Sequence, residues 1–452
     1  MIKHFRPDIS IDRACDVVRN ALTGKSNKKE LLKLSGGRQL FFTPSARQGL
    51  TWFLTAAGLI RGDEVAVPAL ICPAVGEAIA AAGLRIVVFG NNLHDFSPSV
   101  ELCGKSLGPS TRAVILPHLF GRPGDLTGFR ELCSAEKLLL IEDCAPCING
   151  VGDTGDAAIY SFGYGKPLSL GYGGALTMNA DKNVVSVKPF FRIMTPQEDR
   201  ILTAAFIILH ILSDSDFYNS RVSPEAALSW LCQTAHAADD ILNIICDTGT
   251  NTRSCLMHVC RQFMLQSPEQ DGMFGKLSKR VWRGTKKLLF PVHPPRPDPL
   301  KMLLRGTSLL PGGCAMDLLL AQYVINQEGD ASAWRQKIAR IYTEKLSHRN
   351  IRIPAPLDSQ FSWTVFPCSF NCSASERDRR CFELSSLVPA EIGPYNWPTP
   401  LHRVPYLRSV IRTGPELEDT VGMIEGLINL PVHSMISEEL AEEIAVHIIR
   451  IV

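Results

Sequence analysis

The sequence predicts an α/β fold, with a large domain built on a mostly parallel sheet flanked by helices, and three observations lead there. Helix-like and strand-like segments alternate from Thr43 to about Met178, the pattern that layers helices onto a parallel sheet. That rhythm breaks between residues 187 and 310, where turn residues and mixed helical pieces follow one another without repeat or low-complexity tract. The chain has 452 residues, roughly three times the usual domain unit, so a second, smaller domain is expected. The expected organisation is therefore a large α/β domain over 1–186, an atypical helical insertion or linker region over 187–310, and a helix with a small α+β domain over 311–452.

Each element has a local cause. Ser45 is a helix N-cap, and Leu50, Phe53, Leu54 and Ala57 follow at helical spacing, with Gly58 closing the helix. Glu64 to Val67 is a short β-prone run stopped by Pro68. A second helix begins near Pro73 and ends at Gly83, ahead of a strand from Leu84 to Phe89. Two more buried strands, Ala113 to Leu116 and Leu138 to Ile141, bracket the helix-like segment Leu126 to Lys137. Beyond Pro311, helical patterning runs from Met316 to Gln327 and on from Ala331 to Leu346. The chain closes on a helix capped by Ser437, with Glu438 and Glu439 against the positive end of its dipole and Leu440, Ile444 and Ile448 on one face. That helix is expected to pack on the small domain.

Composition narrows the function. Lys and Arg number 47 against 45 acidic residues, without a long basic run, so nucleic acid is not an expected partner and small molecules are. The 14 cysteines are scattered through apolar contexts and read as reduced cytoplasmic thiols rather than a disulfide framework. The first residues, Met1 to Asp8, lack the apolar core and cleavage site of a secretion signal, which makes the cytoplasm the expected compartment. Ile201 to Leu212 is strongly apolar but falls short of the roughly 20 residues a bilayer span needs. It reads as a buried helix or, taken with Lys276, Lys279, Arg280, Arg283, Lys286 and Lys287, as a peripheral contact with the inner face of a membrane. The proline-rich run 291–299 reads as an extended linker.

The chemistry concentrates in two segments. Leu138 to Asp143 is a buried strand that ends in a carboxylate, at the edge of the sheet where α/β proteins bind ligands. Ala157 to Ser161 is a second strand, and Lys166 stands five residues after its terminal serine in a glycine-containing turn. A lysine that can form a Schiff base, a hydroxyl for a phosphate and an aspartate that keeps a pyridine nitrogen protonated together suit pyridoxal 5'-phosphate (PLP). Cys144-Ala145-Pro146-Cys147 has redox-motif spacing but directly follows the aspartate rather than opening a helix. His118 at a strand end is either an active-site wall or a satisfied structural histidine; no second ligand stands at zinc-like spacing, so no metal is expected.

These residues resemble the DegT/StrS aminotransferases, which pair a strand ending Glu-Asp-Ala-Ala-Gln with a later Ser-Phe-x-x-x-Lys and a Gly-Gly turn. Here the matching stretches are Glu142-Asp143-Cys144-Ala145-Pro146, Ser161-Phe162-Gly163-Tyr164-Gly165-Lys166 and Gly171-Tyr172-Gly173-Gly174. Gly62 to Pro68, Pro117 to Asp125, Tyr395 to His402 and Leu430 to His433 resemble further segments of that family, while the middle region has no counterpart. The resemblance implies a fold-type I PLP-transferase with a seven-stranded type of sheet, acting as a homodimer with active sites at the subunit interface. It implies Lys166 and Asp143 as the catalytic pair, and Ser45, Ala46, Arg47, Cys72, Asp143, Ser161 and Lys166 as cofactor-binding residues. The first three occupy a helix start, where free N–H groups favour a phosphate. His118, Tyr164 and His402 are the substrate-side candidates, His402 alternatively structural.

The implied reaction moves an amino group from glutamate or glutamine to a keto-sugar, nucleotide-linked, in glycan or secondary-metabolite biosynthesis. Alternatives are a cyclitol, lipid-linked sugar or other carbonyl acceptor, and a non-catalytic regulatory relative of the fold. Three departures bear on the choice. The family glutamine is Pro146, the stacking aromatic is Cys72, and the asparagine contributed by the partner chain falls near Gly312.

Overall fold

The computed structural model describes residues 37–163, 166–170, 173–179, 330–347, 350–354, 363–390, 392–394 and 399–452, together with two short strands, Arg192–Ile193 and Leu309–Leu310. The chain partitions into two compact units, one made of 1–9, 27–192 and 319–452 and the other of 10–26 and 193–318. Nearly all the described residues belong to the first. The helical patterning at 316–327, the apolar run 201–212, the basic cluster 276–287 and the proline-rich run 291–299 lie outside the described residues.

In chain order the elements are β1 (Gln39–Thr43), α1 (Ala46–Ala56), β2 (Glu64–Pro68), α2 (Pro73–Ala81), β3 (Arg85–Phe89), α3 (Val100–Ser106), β4 (Thr111–Pro117), α4 (Leu126–Ala135), β5 (Leu139–Asp143), β6 (Ala157–Ser161) and β7 (Gly174–Met178). The two short strands are β8 (Arg192–Ile193) and β9 (Leu309–Leu310). There follow α5 (Asp330–Lys345), β10 (Ile351–Arg352), β11 (Phe366–Phe370), α6 (Ala374–Leu387), β12 (Gly393–Pro394), β13 (Ile411–Thr413), α7 (Glu418–Glu425), β14 (Leu427–Leu430) and α8 (Glu438–Ile451).

The large sheet has eight strands in the order β1-β7-β6-β5-β4-β2-β3-β13. From β6 to β13 every neighbouring pair is parallel, whereas β7 runs antiparallel to both β6 and β1. The parallel strands are Val-, Ile- and Ala-rich and buried nearly throughout, as a sheet covered on both faces requires. Seven of the strands come from residues 39–178; the eighth, β13, arrives from the C-terminal third and pairs Ile411 with Ile86. Arg412 fastens it by gripping both carboxylate oxygens of Glu64 on β2, at 2.8 and 2.7 Å.

A second, four-stranded antiparallel sheet has the order β10-β11-β14-β12. Helix α8 packs along α5 and α6, burying Ala441, Ile444, Ala445 and Ile448 and leaving Leu440 half-buried at the margin. Its start is set by the Ser437 hydroxyl, which accepts the Leu440 N–H, and ion pairs Lys337–Glu438 and Lys345–Glu442 edge the contact with α5. Among the described residues no helix is long and apolar enough to cross a membrane.

Candidate active site

Because β1, β2, β4, β5 and β6 all run the same way, the segments leaving their C-terminal ends gather at one edge of the sheet. Ser45 follows β1, Cys72 follows β2 and His118 follows β4, while Asp143 and Ser161 are the last residues of β5 and β6. The antiparallel β7 begins at the same edge, with Gly174 in register with both Thr43 and Ser161, and Gly173 bridged to Ser45. A Cβ on Gly174 would sit 2.5 Å from the Ala46 nitrogen and 2.7 Å from the Tyr160 carbonyl oxygen, so only glycine lets the start of α1 close against β6. This glycine is what brings Ser45 and Ala46 beside Ser161.

Helix α1 opens with Ser45 as N-cap, its Oγ accepting the Gln48 N–H at 3.2 Å. The Ala46 and Arg47 N–H groups, the first of the helix, carry no hydrogen bond among the described residues, the ordinary condition of a helix start and the one that favours an anion. The Arg47 guanidinium is half exposed and pairs with Glu77 at 2.8 Å; the Tyr406 hydroxyl donates to the other Glu77 oxygen at 2.8 Å. On the opposite side, Ser161 Oγ accepts the Gly163 N–H at 3.3 Å, and Leu170 N–H donates to the Phe162 carbonyl, which folds the turn carrying Lys166 back on the strand end.

Asp143 is buried. One carboxylate oxygen accepts the Ala145 N–H at 3.0 Å, and among the described residues the other carries no hydrogen bond. Burial raises its carboxyl above the ordinary aspartate value, opposed by the charge of Lys166 and the Ala145 N–H. Cys72, the half-buried N-cap of α2, lies within electrostatic reach of Lys166, Asp143 and Arg47 together. Its thiol is pushed up by burial. The structure thus brings Cys72, Asp143 and Lys166 to one place.

The remaining candidates fall differently. Tyr164 lies outside the described residues, as do Gly165, Gly171, Tyr172, Gly312 and Tyr395 to Pro398. His402 sits half-buried in a turn whose Leu401 N–H donates to Ala69, on the segment leading to Cys72. Burial, with Arg403 beside it, lowers the His402 imidazole. His118 is wholly buried, with Nε2 3.0 Å from Glu142 Oε2 and Nδ1 accepting the Gly124 N–H at 3.0 Å. Cys144 and Cys147 are buried free thiols, both raised by burial, Cys147 to about 12, which leaves little thiolate for redox work. His118, Glu142 and Cys144 form a compact trio, but the imidazole and carboxylate are already engaged by hydrogen-bond donors and by each other.

Sequence reasoning missed Glu142. It accepts the N–H groups of Gly152, Thr154 and Gly155 at 2.8, 2.9 and 2.5 Å, besides meeting His118. Burial raises its carboxyl, yet the His118 contact and these N–H groups prevail and hold it below the ordinary glutamate value. The signal was present: two acids in succession on one strand point to opposite faces, so only one of them can meet a ligand at a given face.

Residues 24–195 match the DegT/DnrJ/EryC1/StrS aminotransferase family. Over that segment the chain is similar to this family. The chain is 34% identical over 134 residues to GDP-perosamine synthase of Vibrio cholerae, a match covering 28% of this chain and 36% of the relative. It is 30% identical over 164 residues to UDP-N-acetyl-3-dehydro-alpha-D-glucosamine 3-aminotransferase of Acidithiobacillus ferrooxidans, covering 35% of this chain and 44% of the relative. The chain thus spans less than half the length of these relatives. In three dimensions the match is longer: the aminotransferase TlmJ of Streptoalloteichus hindustanus superposes with a TM-score of 0.62 over 100% of both chains at 19% identity. The fold is that of the fold-type I aminotransferases.

Proposed function

We propose that the chain is a PLP-dependent aminotransferase that passes an amino group from glutamate or glutamine to a nucleotide-linked keto-sugar. The observation that carries the reading is a buried Asp143 within electrostatic reach of Lys166 at the sheet edge where the start of α1 and Ser161 flank Gly174. The residues fit the cofactor chemically. A desolvated carboxylate with one oxygen lacking a hydrogen bond among the described residues would be relieved by a cationic N–H donor, which a protonated pyridine ring would supply. The N–H groups of Ala46 and Arg47 and the hydroxyls of Ser45 and Ser161 suit a phosphate.

Bound PLP would supply an electron sink for carbanion chemistry at the amino-bearing carbon. Lys166 would be the residue that holds the cofactor covalently, and its Nζ, when free, would be the base that moves a proton at the reacting carbon. Asp143 would hold the ring nitrogen in its protonated form. Cys72, the N-cap of α2, would stand where an aromatic is expected against the cofactor, and Pro146 would offer it no side-chain hydrogen bond; both support a cyclitol, lipid-linked sugar or other carbonyl acceptor as the second reading. His402 and Tyr164 remain the substrate-side candidates. A homodimer, a cytoplasmic setting and peripheral membrane contact through 201–212 belong to the same proposal.

The test is spectral. Purified protein mixed with PLP should develop a visible absorption band, glutamate or glutamine should bleach it, and the matching nucleotide-linked keto-sugar from a panel should restore it. No band on adding PLP overturns the reading; a band that only a cyclitol or other carbonyl restores moves the acceptor to the second.

A further inference from the structure

We infer that His118 is a positioning residue that aims Asp143 through Glu142, rather than a wall of the substrate pocket; the inference rests on the cofactor role proposed for Asp143. The ring is fixed at both ends. A backbone N–H can only donate, so the Gly124 N–H at 3.0 Å claims the Nδ1 lone pair, and a neutral imidazole must then carry its proton on Nε2. That proton faces Glu142 Oε2 at 3.0 Å. The approach of Gly124 depends on its having no side chain, since a Cβ there would stand 2.7 Å from a Leu116 methyl carbon.

His118 also holds the neighbouring residue by its main chain, donating its own N–H to the Asp143 carbonyl at 3.1 Å. One residue thus restrains two consecutive positions at the end of β5. Asp143 has little to orient it locally, the Ala145 N–H being the donor recorded on its carboxylate, so its aim follows that of the strand end. Glu142 is anchored in turn by Gly152, Thr154 and Gly155. With no accessible surface, His118 cannot touch a substrate, and its chemistry is spent on keeping β5 in place.

Two substitutions separate the ring's two contacts. His118→Asn keeps an acceptor near the Nδ1 position and loses the donor to Glu142; His118→Gln keeps a donor near Nε2 and loses the acceptor for Gly124. Dissociation constants for PLP, read by absorbance titration of apo protein, should rise about tenfold or more in His118→Asn and return toward the wild-type value in His118→Gln. Amide hydrogen exchange at residues 142–145 should quicken in the first variant only. Equal PLP affinity in wild type and His118→Asn, or a larger loss in His118→Gln, overturns the inference while leaving the cofactor reading in place. A wild-type chain that binds no PLP overturns the cofactor reading and this inference with it. Should His118→Asn fail to fold, Glu142→Asp, which keeps the charge but withdraws it by one methylene, must give the same loss of affinity or the inference falls.

Discussion

Arg38 and Glu142 grip one loop from opposite electrical sides. The guanidinium donates to the carbonyls of Gly152 and Gly155 at 2.6 and 2.8 Å, and the carboxylate accepts the N–H groups of the same two glycines at 2.8 and 2.5 Å. Both polarities of the backbone are thereby satisfied in a loop that crosses behind the end of β5. Gly152 has φ +94°, and a Cβ there would overlap the Tyr160 hydroxyl, so the loop tolerates only glycine at that point.

Removing the anionic half should be costly. Glu142→Gln leaves three N–H groups and an imidazole competing for one acceptor oxygen in a dry site, and is expected to lower stability by about 3 kcal/mol, the scale of a broken buried charge contact. Denaturant unfolding of the apo protein measures it; a loss under about 1 kcal/mol would mean that water reaches the loop.

The same residue sets an acid limit. The folded-state value of Glu142 lies below its unfolded one, so its stabilisation is complete above the ordinary glutamate range near about 4.3 and is lost as pH falls through the folded value. Wild-type stability should therefore decline on acidification more steeply than that of Glu142→Gln. Parallel curves for the two proteins would remove Glu142 from the cause.

Asp143 carries the opposite sign. Burial raises its folded value, so its charged form opposes folding as pH rises through that window. Asp143→Asn is expected to raise the thermal midpoint of the apo protein at neutral pH and to slow amino transfer about a hundredfold or more, since an amide cannot hold a pyridinium proton. A variant that is destabilised, or that turns over normally, contradicts the role.

Lys166 should be the attachment point. Borohydride reduction of the PLP-loaded protein, followed by peptide mass analysis, is expected to place the pyridoxyl group on Lys166; an adduct on another lysine would reassign the site.

Membrane contact through 201–212 and the basic cluster 276–287 predicts flotation with anionic but not neutral liposomes, weakening as salt is added, at roughly 1 kcal/mol per basic residue near the surface. Protein left behind by anionic liposomes at low salt would assign the apolar run to the protein interior.

The βα elements that were read between residues 45 and 143 were legible because their causes are local: Ser45 caps its own helix and Pro68 ends its own strand, as Ser437 caps α8, whereas the short helix α3, Val100–Ser106, was not foreseen. Asp143 and Lys166 stand out as candidates for a related reason, one ending a β-prone run and the other five residues beyond the end of the next. What stayed hidden depends on distant partners. β13 is three residues long and has no periodicity; it is a strand because β3 and Glu64 receive it. The place of Glu142 could not be read from its strand, because the glycines it binds are ten to thirteen residues further along.

The position of β13 gives synthesis an order. A ribosome that has delivered the segment 24–195 has made seven of the eight strands, yet the outer edge of β3 stays without its partner until Thr413 has emerged. Through that interval a buried-type strand, Arg-Ile-Val-Val-Phe, presents unpaired N–H and carbonyl groups to any other chain nearby. A nascent chain stalled before residue 411 is therefore a sticky object rather than a small functional domain, and the C-terminal third acts as the clasp that takes this edge out of circulation.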